Sequence, residues 1–195
     1  MGKIVCLMGK SSTGKDTIYN RLLNCRELNL KRIVPYTTRP MREGEQEGVE
    51  YHFTDEEGFQ KLKEAGKIIE DRAYDTVHGL WRYFTVADAG VDLSRDSFCI
   101  IGTLEAYGQF RKYFGEEHVL PVLIELDDGK RLQRALNRER MEEQPRYEEM
   151  CRRFLADSKD FCPEKIKDAE ITVRFYNDSL EECLRSIVTY IQENV

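Results

Sequence analysis

The densest chemical signal lies in Gly9-Lys10-Ser11-Ser12-Thr13-Gly14-Lys15-Asp16-Thr17. The spacing is GxxxxGK, the pattern of a phosphate-binding loop, and the apolar run 3–8 precedes it as a strand should. Glycines let the backbone curl until consecutive N–H groups converge on phosphate oxygens, and a helix start behind them adds positive potential. Lys15 would then bring a mobile positive charge to the β- and γ-phosphates. Gly9, Ser11, Ser12, Thr13, Gly14 and Lys15 are therefore the expected nucleotide contacts. Asp16 stands where Ser or Thr ordinarily meets Mg²⁺, and Thr17 follows directly. Either could serve the metal, directly or through water. Alone, the loop implies a handler of ATP or GTP and no particular acceptor.

A second cluster, residues 36–53, places Arg39 and Arg42 three apart, with Thr38 beside them and Tyr51 nine residues beyond Arg42. Arginine forks suit phosphate oxygens, and a tyrosine hydroxyl can donate one further hydrogen bond. On residue types alone, a charged solvated loop remains the alternative. A third cluster, 130–153, gathers eight Lys and Arg side chains and prefers arginine over lysine. Phosphoryl transfer is mostly positioning and charge stabilisation, so arginines closing over the transferred group fit that chemistry.

Elements that would carry these groups follow from periodicity. Short apolar runs alternate with amphipathic stretches, which predicts an α/β fold with a mostly parallel sheet flanked by helices. Strands are expected at 3–8, 31–34, 67–74, 80–85, 97–101, 119–126 and 171–176, the 119–126 strand with an irregular start at Pro121. Helices are expected at 15–25, 103–114, 129–141, 145–160 and 180–193. Thr54 with Glu57 reads as a capping box for a helix ending at Gly66, and Ser179 with Glu182 as another. Residues 36–50 read as a loop. The expected division is one domain over 1–195: a core of 1–34, 91–128 and 161–195, an insertion at 35–90, and a charged excursion at 129–160. With 195 residues, net charge −6, 41% apolar and 34% charged side chains, the chain is too apolar for disorder and not basic enough for general nucleic-acid binding. No apolar run reaches the roughly 18–20 residues that span a membrane, and no export signal is evident. Six cysteines without a CxxC, and three histidines without ligand spacing, predict a reduced cytoplasmic protein without structural zinc.

The string TTRPMREGEQEGVEYHF, residues 37–53, closely resembles the monophosphate-binding loop of guanylate kinases, TTRxPRxGExxGxxYxF. The resemblance extends over nearly the whole chain. It implies a P-loop NTPase-type core sheet, an inserted monophosphate-binding α+β region and a helical lid. It further implies ATP-dependent phosphoryl transfer to GMP with Mg²⁺, and nucleotides rather than nucleic acid or membrane as partners. By resemblance, Thr38, Arg39, Arg42 and Tyr51 would hold the acceptor phosphate, and Glu70 would accept from the guanine edge. His78 and Gly79 fall in the family's following Tyr-Gly segment. Arg134 and Arg138 are similar to the lid's RLxxR arginines, Arg153 to the arginine of the next helix, and Asn177 to an asparagine near adenine. Leu80, Pro35 and the strand end Ile101-Gly102-Thr103-Leu104-Glu105 depart from the pattern, where a hydroxyl, a serine and Asp-x-Asp are usual. Those departures predict relaxed base discrimination. They also leave two alternatives open: a relative acting on another phosphorylated acceptor such as ribose 1,5-bisphosphate, and a binding module without catalysis. Gly9, Gly14 and Lys15 speak against the second.

Overall fold

A computed structural model describes residues 1–76, 79–87 and 90–195. Its strands are β1 (Ile4–Met8), β2 (Leu30–Arg32), β3 (Tyr36–Thr37), β4 (His52–Phe53), β5 (Ile68–Thr76), β6 (Gly79–Val86), β7 (Ser97–Ile101), β8 (Val119–Glu125) and β9 (Arg174–Tyr176). Its helices are α1 (Lys15–Leu23), α2 (Glu56–Glu64), α3 (Leu104–Phe114), α4 (Asp128–Glu139), α5 (Tyr147–Asp160), α6 (Pro163–Asp168) and α7 (Leu180–Asn194).

Five strands form an all-parallel sheet in the order β2-β7-β1-β8-β9. β1 sits at the centre, with every residue buried, as its unbroken apolar run requires in a sheet covered on both faces. Alternation splits its side chains between two cores: Ile4, Cys6 and Met8 enter one, Val5 and Leu7 the other. Strand order reverses at β1, and its carboxyl end opens into the Gly9–Lys15 loop, the place where open α/β sheets bind ligands. A second sheet, ordered β4-β3-β6-β5, comes entirely from residues 36–86 and has its own small core of Phe59, Phe84 and Val86. α4 buries only Arg131 and Ala135, and α5 buries no residue. That polarity suits helices standing over a cleft rather than on a core.

Several expectations shift. Residues 36 and 37 are strand rather than loop, because Tyr36 and Thr37 pair with both β4 and β6. α2 is capped by Asp55, which accepts from the Gly58 N–H at 2.8 Å, and not by Thr54 one residue earlier. Ser179 stands at the start of α7 but makes no side-chain capping bond. β8 runs regularly through Pro121, since pairing with β9 begins only at Leu123 and the missing N–H is not needed on that side. The last strand is shortened to Arg174–Tyr176, and α6 was not anticipated although Pro163 at its first turn is a start signal. The six cysteines are unpaired. Burial raises the Cys6 thiol to about 12 and the Cys183 thiol to about 11, so both behave as small hydrophobes. No helix among the described residues is long and apolar enough to cross a membrane.

Candidate active site

The phosphate loop is held from below and from one side. Gly9 has φ 154°, and a Cβ there would lie 2.4 Å from the Ile124 carbonyl oxygen. Gly14, with φ 91°, opens α1, and no side chain caps that helix start. The first-turn N–H groups are thus left for an anion. A Gly14 Cβ would lie 2.4 Å from Nδ2 of Asn177, which donates to the Thr13 carbonyl at 2.7 Å. Thr13 itself is buried and donates from Oγ1 to the Lys10 carbonyl at 2.9 Å. Ser12 takes the left-handed conformation at φ 64°, and its hydroxyl is buried without a partner. Strain and an orphaned polar group at one residue mark a loop shaped for something other than stability. We expect Gly9→Ala to lower the melting temperature and the activity together, because backbone rather than a movable side chain blocks the new methyl. Thermal unfolding followed by circular dichroism checks this.

Lys15 lies in the first turn of α1. Burial lowers the pKa of its ammonium, Asp16 and Asp157 counter that, and Arg153 and Arg131 add to it. Asp16 and Thr17 are exposed beside it. A carboxylate and a hydroxyl at the mouth of the loop are hard oxygen donors, which fits a Mg²⁺ ion that keeps several waters and shares its remaining positions with phosphate oxygens.

A cavity of about 320 Å³ runs between the loop, α4, α5 and residue 42. Ser11 and Ser12 form its floor, and five arginines, Arg42, Arg131, Arg138, Arg146 and Arg153, line it against Glu139 and Glu149. Arg138 and Arg153 therefore face the same space as Arg42 of the other module. Arg134 lies apart from them: Nη2 donates to the Asn177 carbonyl at 3.3 Å, and Nη1 is 3.7 Å from where a Gly14 Cβ would stand. It stands with Asn177 on the side of the loop away from that cavity.

Arg131 was not singled out by sequence, yet it is the most enclosed charge in the lid. It is 1% exposed and donates to the Ser11 carbonyl at 3.0 Å, to Asp157 at 3.0 Å and to Asp128. The same Asp157 oxygen accepts the Ser11 N–H at 2.8 Å. Phe154 covers the guanidinium at 4.8 Å. Ser11 is thus tied to both α4 and α5. A clue was available: 131 and 135 share one helix face, and 135 is the buried alanine.

In the 36–53 segment, Arg39 is 3% exposed and binds Glu45 in a fork, Nη1 to Oε2 at 2.7 Å and Nη2 to Oε1 at 2.5 Å. Tyr51 and Phe53 lie beneath it at 5.1 and 5.6 Å. Glu45 also accepts the Arg42 N–H at 2.8 Å, and hydrogen bonds from Arg39 and the Arg42 backbone hold its carboxyl down at about 2. Sequence reading gave Glu45 no role of its own; it organises the loop and leaves the exposed Arg42 side chain free to face the cavity. The Thr38 hydroxyl accepts the Arg82 N–H at 2.9 Å, fixing residue 38 to β6. Burial raises the Tyr51 phenol. Glu70 is 1% exposed and accepts from Thr85 Oγ1 at 2.9 Å and from Arg72 Nε at 3.1 Å. Gly79 is exposed with φ 103° at the start of β6, and His78 lies outside the described residues.

Comparison with known proteins agrees with this geometry. The guanylate kinase family model matches residues 1–82. The guanylate kinase of Chlorobium chlorochromatii is 34% identical over 157 residues, covering 72% of this chain and 80% of that one. That of Porphyromonas gingivalis is 32% identical over 131 residues, covering 64% and 68%. The Malacoplasma penetrans guanylate kinase is 27% identical over 184 residues, covering 91% and 82%. The crystal structure of guanylate kinase from Anaplasma phagocytophilum superposes with a TM-score of 0.63 at 25% identity, over 100% of this chain and 87% of that one. Beside the Gly9–Lys15 loop and the arginine-lined cavity, 34% identity over 80% of the Chlorobium chlorochromatii enzyme, and a fold shared over the whole chain with the Anaplasma phagocytophilum structure, place the chain in the guanylate kinase family.

Proposed function

We propose that this nucleoside monophosphate kinase transfers the γ-phosphoryl group of ATP to GMP, giving ADP and GDP. The observation that carries the reading is the shared cavity, in which Arg42 of the acceptor loop meets Arg138 and Arg153 of the lid over Ser11 and Ser12. Such a cleft fits two phosphate chains end to end, as in-line transfer demands.

ATP would lie on the loop from Gly9 to Thr17, with Lys15 on the β- and γ-phosphates and Arg134 and Asn177 flanking the adenine. The acceptor is already an anion, so no strong base is needed. Arg138 and Arg153 would stabilise the charge that spreads over the transferred oxygens. Arg39, Arg42, Thr38 and Tyr51 would hold the acceptor phosphate, with Glu70 on the base and His78 and Gly79 beside it. Asp16 and Thr17 would hold Mg²⁺, which supplies charge neutralisation between the phosphates. In this reading the core is 1–34, 91–128 and 161–195, the monophosphate-binding insertion 35–90 and the lid 129–160, and closure of the two modules excludes water. Six unpaired thiols suit a reducing cytoplasm.

A coupled ADP-release assay across GMP, dGMP, AMP, CMP, UMP and ribose 1,5-bisphosphate tests the assignment. GMP should give the highest kcat/KM. Turnover with ribose 1,5-bisphosphate and none with GMP would replace the acceptor, and no turnover with any would make the chain a binding module.

A further inference from the structure

β5 carries Glu70 and Arg72 two residues apart, so both side chains project from one face of the strand. The register with β6 slips between Ile68 and Glu70, which sets Glu70 opposite Thr85 and Arg72 opposite Tyr83. Such a bulge re-aims a side chain. Here Glu70 ends at 1% exposure, its Oε1 on the Thr85 hydroxyl and its Oε2 on Arg72 Nε. The Arg72 side chain keeps 21% of its surface exposed and lines a cavity of about 680 Å³ with Thr103, Glu105 and Tyr107.

A buried carboxylate stays ionised only when paired and hydrogen-bonded. The groups facing Glu70 are few. Arg72 stabilises its charge, Asp71 on the same strand opposes it, and the Cys6 thiol of β1 is neutral. Thr85 of β6 donates a hydrogen bond and does not titrate. Burial is the largest influence on Glu70 and raises its pKa, so the carboxylate depends on its cation. A carboxylate offers about four lone-pair positions. Thr85 and Arg72 use two of them, which leaves two for an incoming N–H pair.

We infer that Arg72 is a positioning residue for the acceptor base: it holds Glu70 ionised and turned so that its two remaining lone pairs meet the paired N–H donors of a guanine edge. This rests on the reading of Glu70 as the base contact. Arg72 acts through Glu70 rather than by touching the base.

The test is the KM for GMP across about pH 6 to 9 in the unaltered enzyme, Arg72→Met, Arg72→Lys and Glu70→Gln. Removing the cation raises the Glu70 pKa further, and protonation removes an acceptor. Arg72→Met should therefore raise KM about tenfold or more at the acid end, recover as pH rises, and leave saturating kcat within a few-fold. The pH at which KM begins to rise should sit higher than in the unaltered enzyme, and Arg72→Lys should restore most of the difference. Ionisation of the GMP phosphate is common to all variants and cancels. An unmoved KM, or one raised by the same factor at every pH, overturns the proposal. If Arg72→Met does not fold, Arg72→Gln carries the same comparison. Glu70→Gln separates the two ideas. A KM unchanged there removes the base contact itself, whereas a KM raised there but unmoved in Arg72→Met removes Arg72 alone.

Discussion

Lys15→Met should lower kcat by at least about 10³-fold and leave the melting temperature unchanged or higher. The first part follows from position. Lys15 follows the glycine that opens α1, and in the proposed reading its ammonium meets a phosphate seated on the loop. Transfer through a loose transition state spreads charge over oxygens, and a donor fixed in a water-poor cleft is worth far more there than in water. The second part follows from sign. Burial lowers the Lys15 pKa, so the folded protein binds that proton less tightly than the unfolded chain does. At neutral pH the charge costs stability, and the stability it withholds returns as pH rises through the lowered pKa. A neutral side chain of similar length removes that cost. Single-turnover kinetics and calorimetry on one preparation check both. Activity within tenfold would take Lys15 out of the transfer, and a large fall in melting temperature would make its role structural.

Arg131→Met should give the largest loss of stability of any single lid substitution. The guanidinium is 1% exposed and satisfies Asp157, Asp128 and the Ser11 carbonyl together. Taking away one partner of a buried ion pair costs roughly 3–5 kcal/mol, because the other charge is left behind. For a chain of this size that is a fall in melting temperature on the order of 10 °C. The double variant Arg131→Met with Asp157→Leu should recover part of the loss, since the unpaired buried carboxylate goes too while the Ser11 N–H and carbonyl still lose their partners. No recovery would show that Arg131 acts mainly by packing on Phe154. Activity should stay low in the double variant, because Ser11 N–H loses its acceptor and the loop its tie to the lid.

The phosphate loop was legible because its physics is local. A glycine whose Cβ would strike the Ile124 carbonyl, and a second that opens a helix, leave a spaced signature in the chain. In the 36–53 segment, residue types offered an anion clamp beside a solvated loop, and only the resemblance chose between them. Nothing local distinguishes Glu45 from its acidic neighbours, although it pairs with Arg39 in a fork. Arg131 was hidden for a similar reason. Among many lid arginines, burial of one depends on Asp157 and Phe154, more than 20 positions away. The two-residue strands β3 and β4 were missed because their pairing is with each other and with β6, far along the chain. Asp55 displaced Thr54 as a cap by one residue, the usual margin for helix ends.

Five arginines facing two glutamates across a single cavity have a consequence beyond catalysis. Arg131 is paired with Asp157 and Asp128, but Arg42 approaches Arg138, Arg146 and Arg153 from another part of the chain, and like charges repel. An anion bound between them would offset that repulsion, within a range of about 8–10 Å set by the surrounding salt. If two phosphate-bearing substrates share this cavity, as proposed, their affinities would be thermodynamically joined. The factor by which the donor tightens the acceptor must equal the factor by which the acceptor tightens the donor.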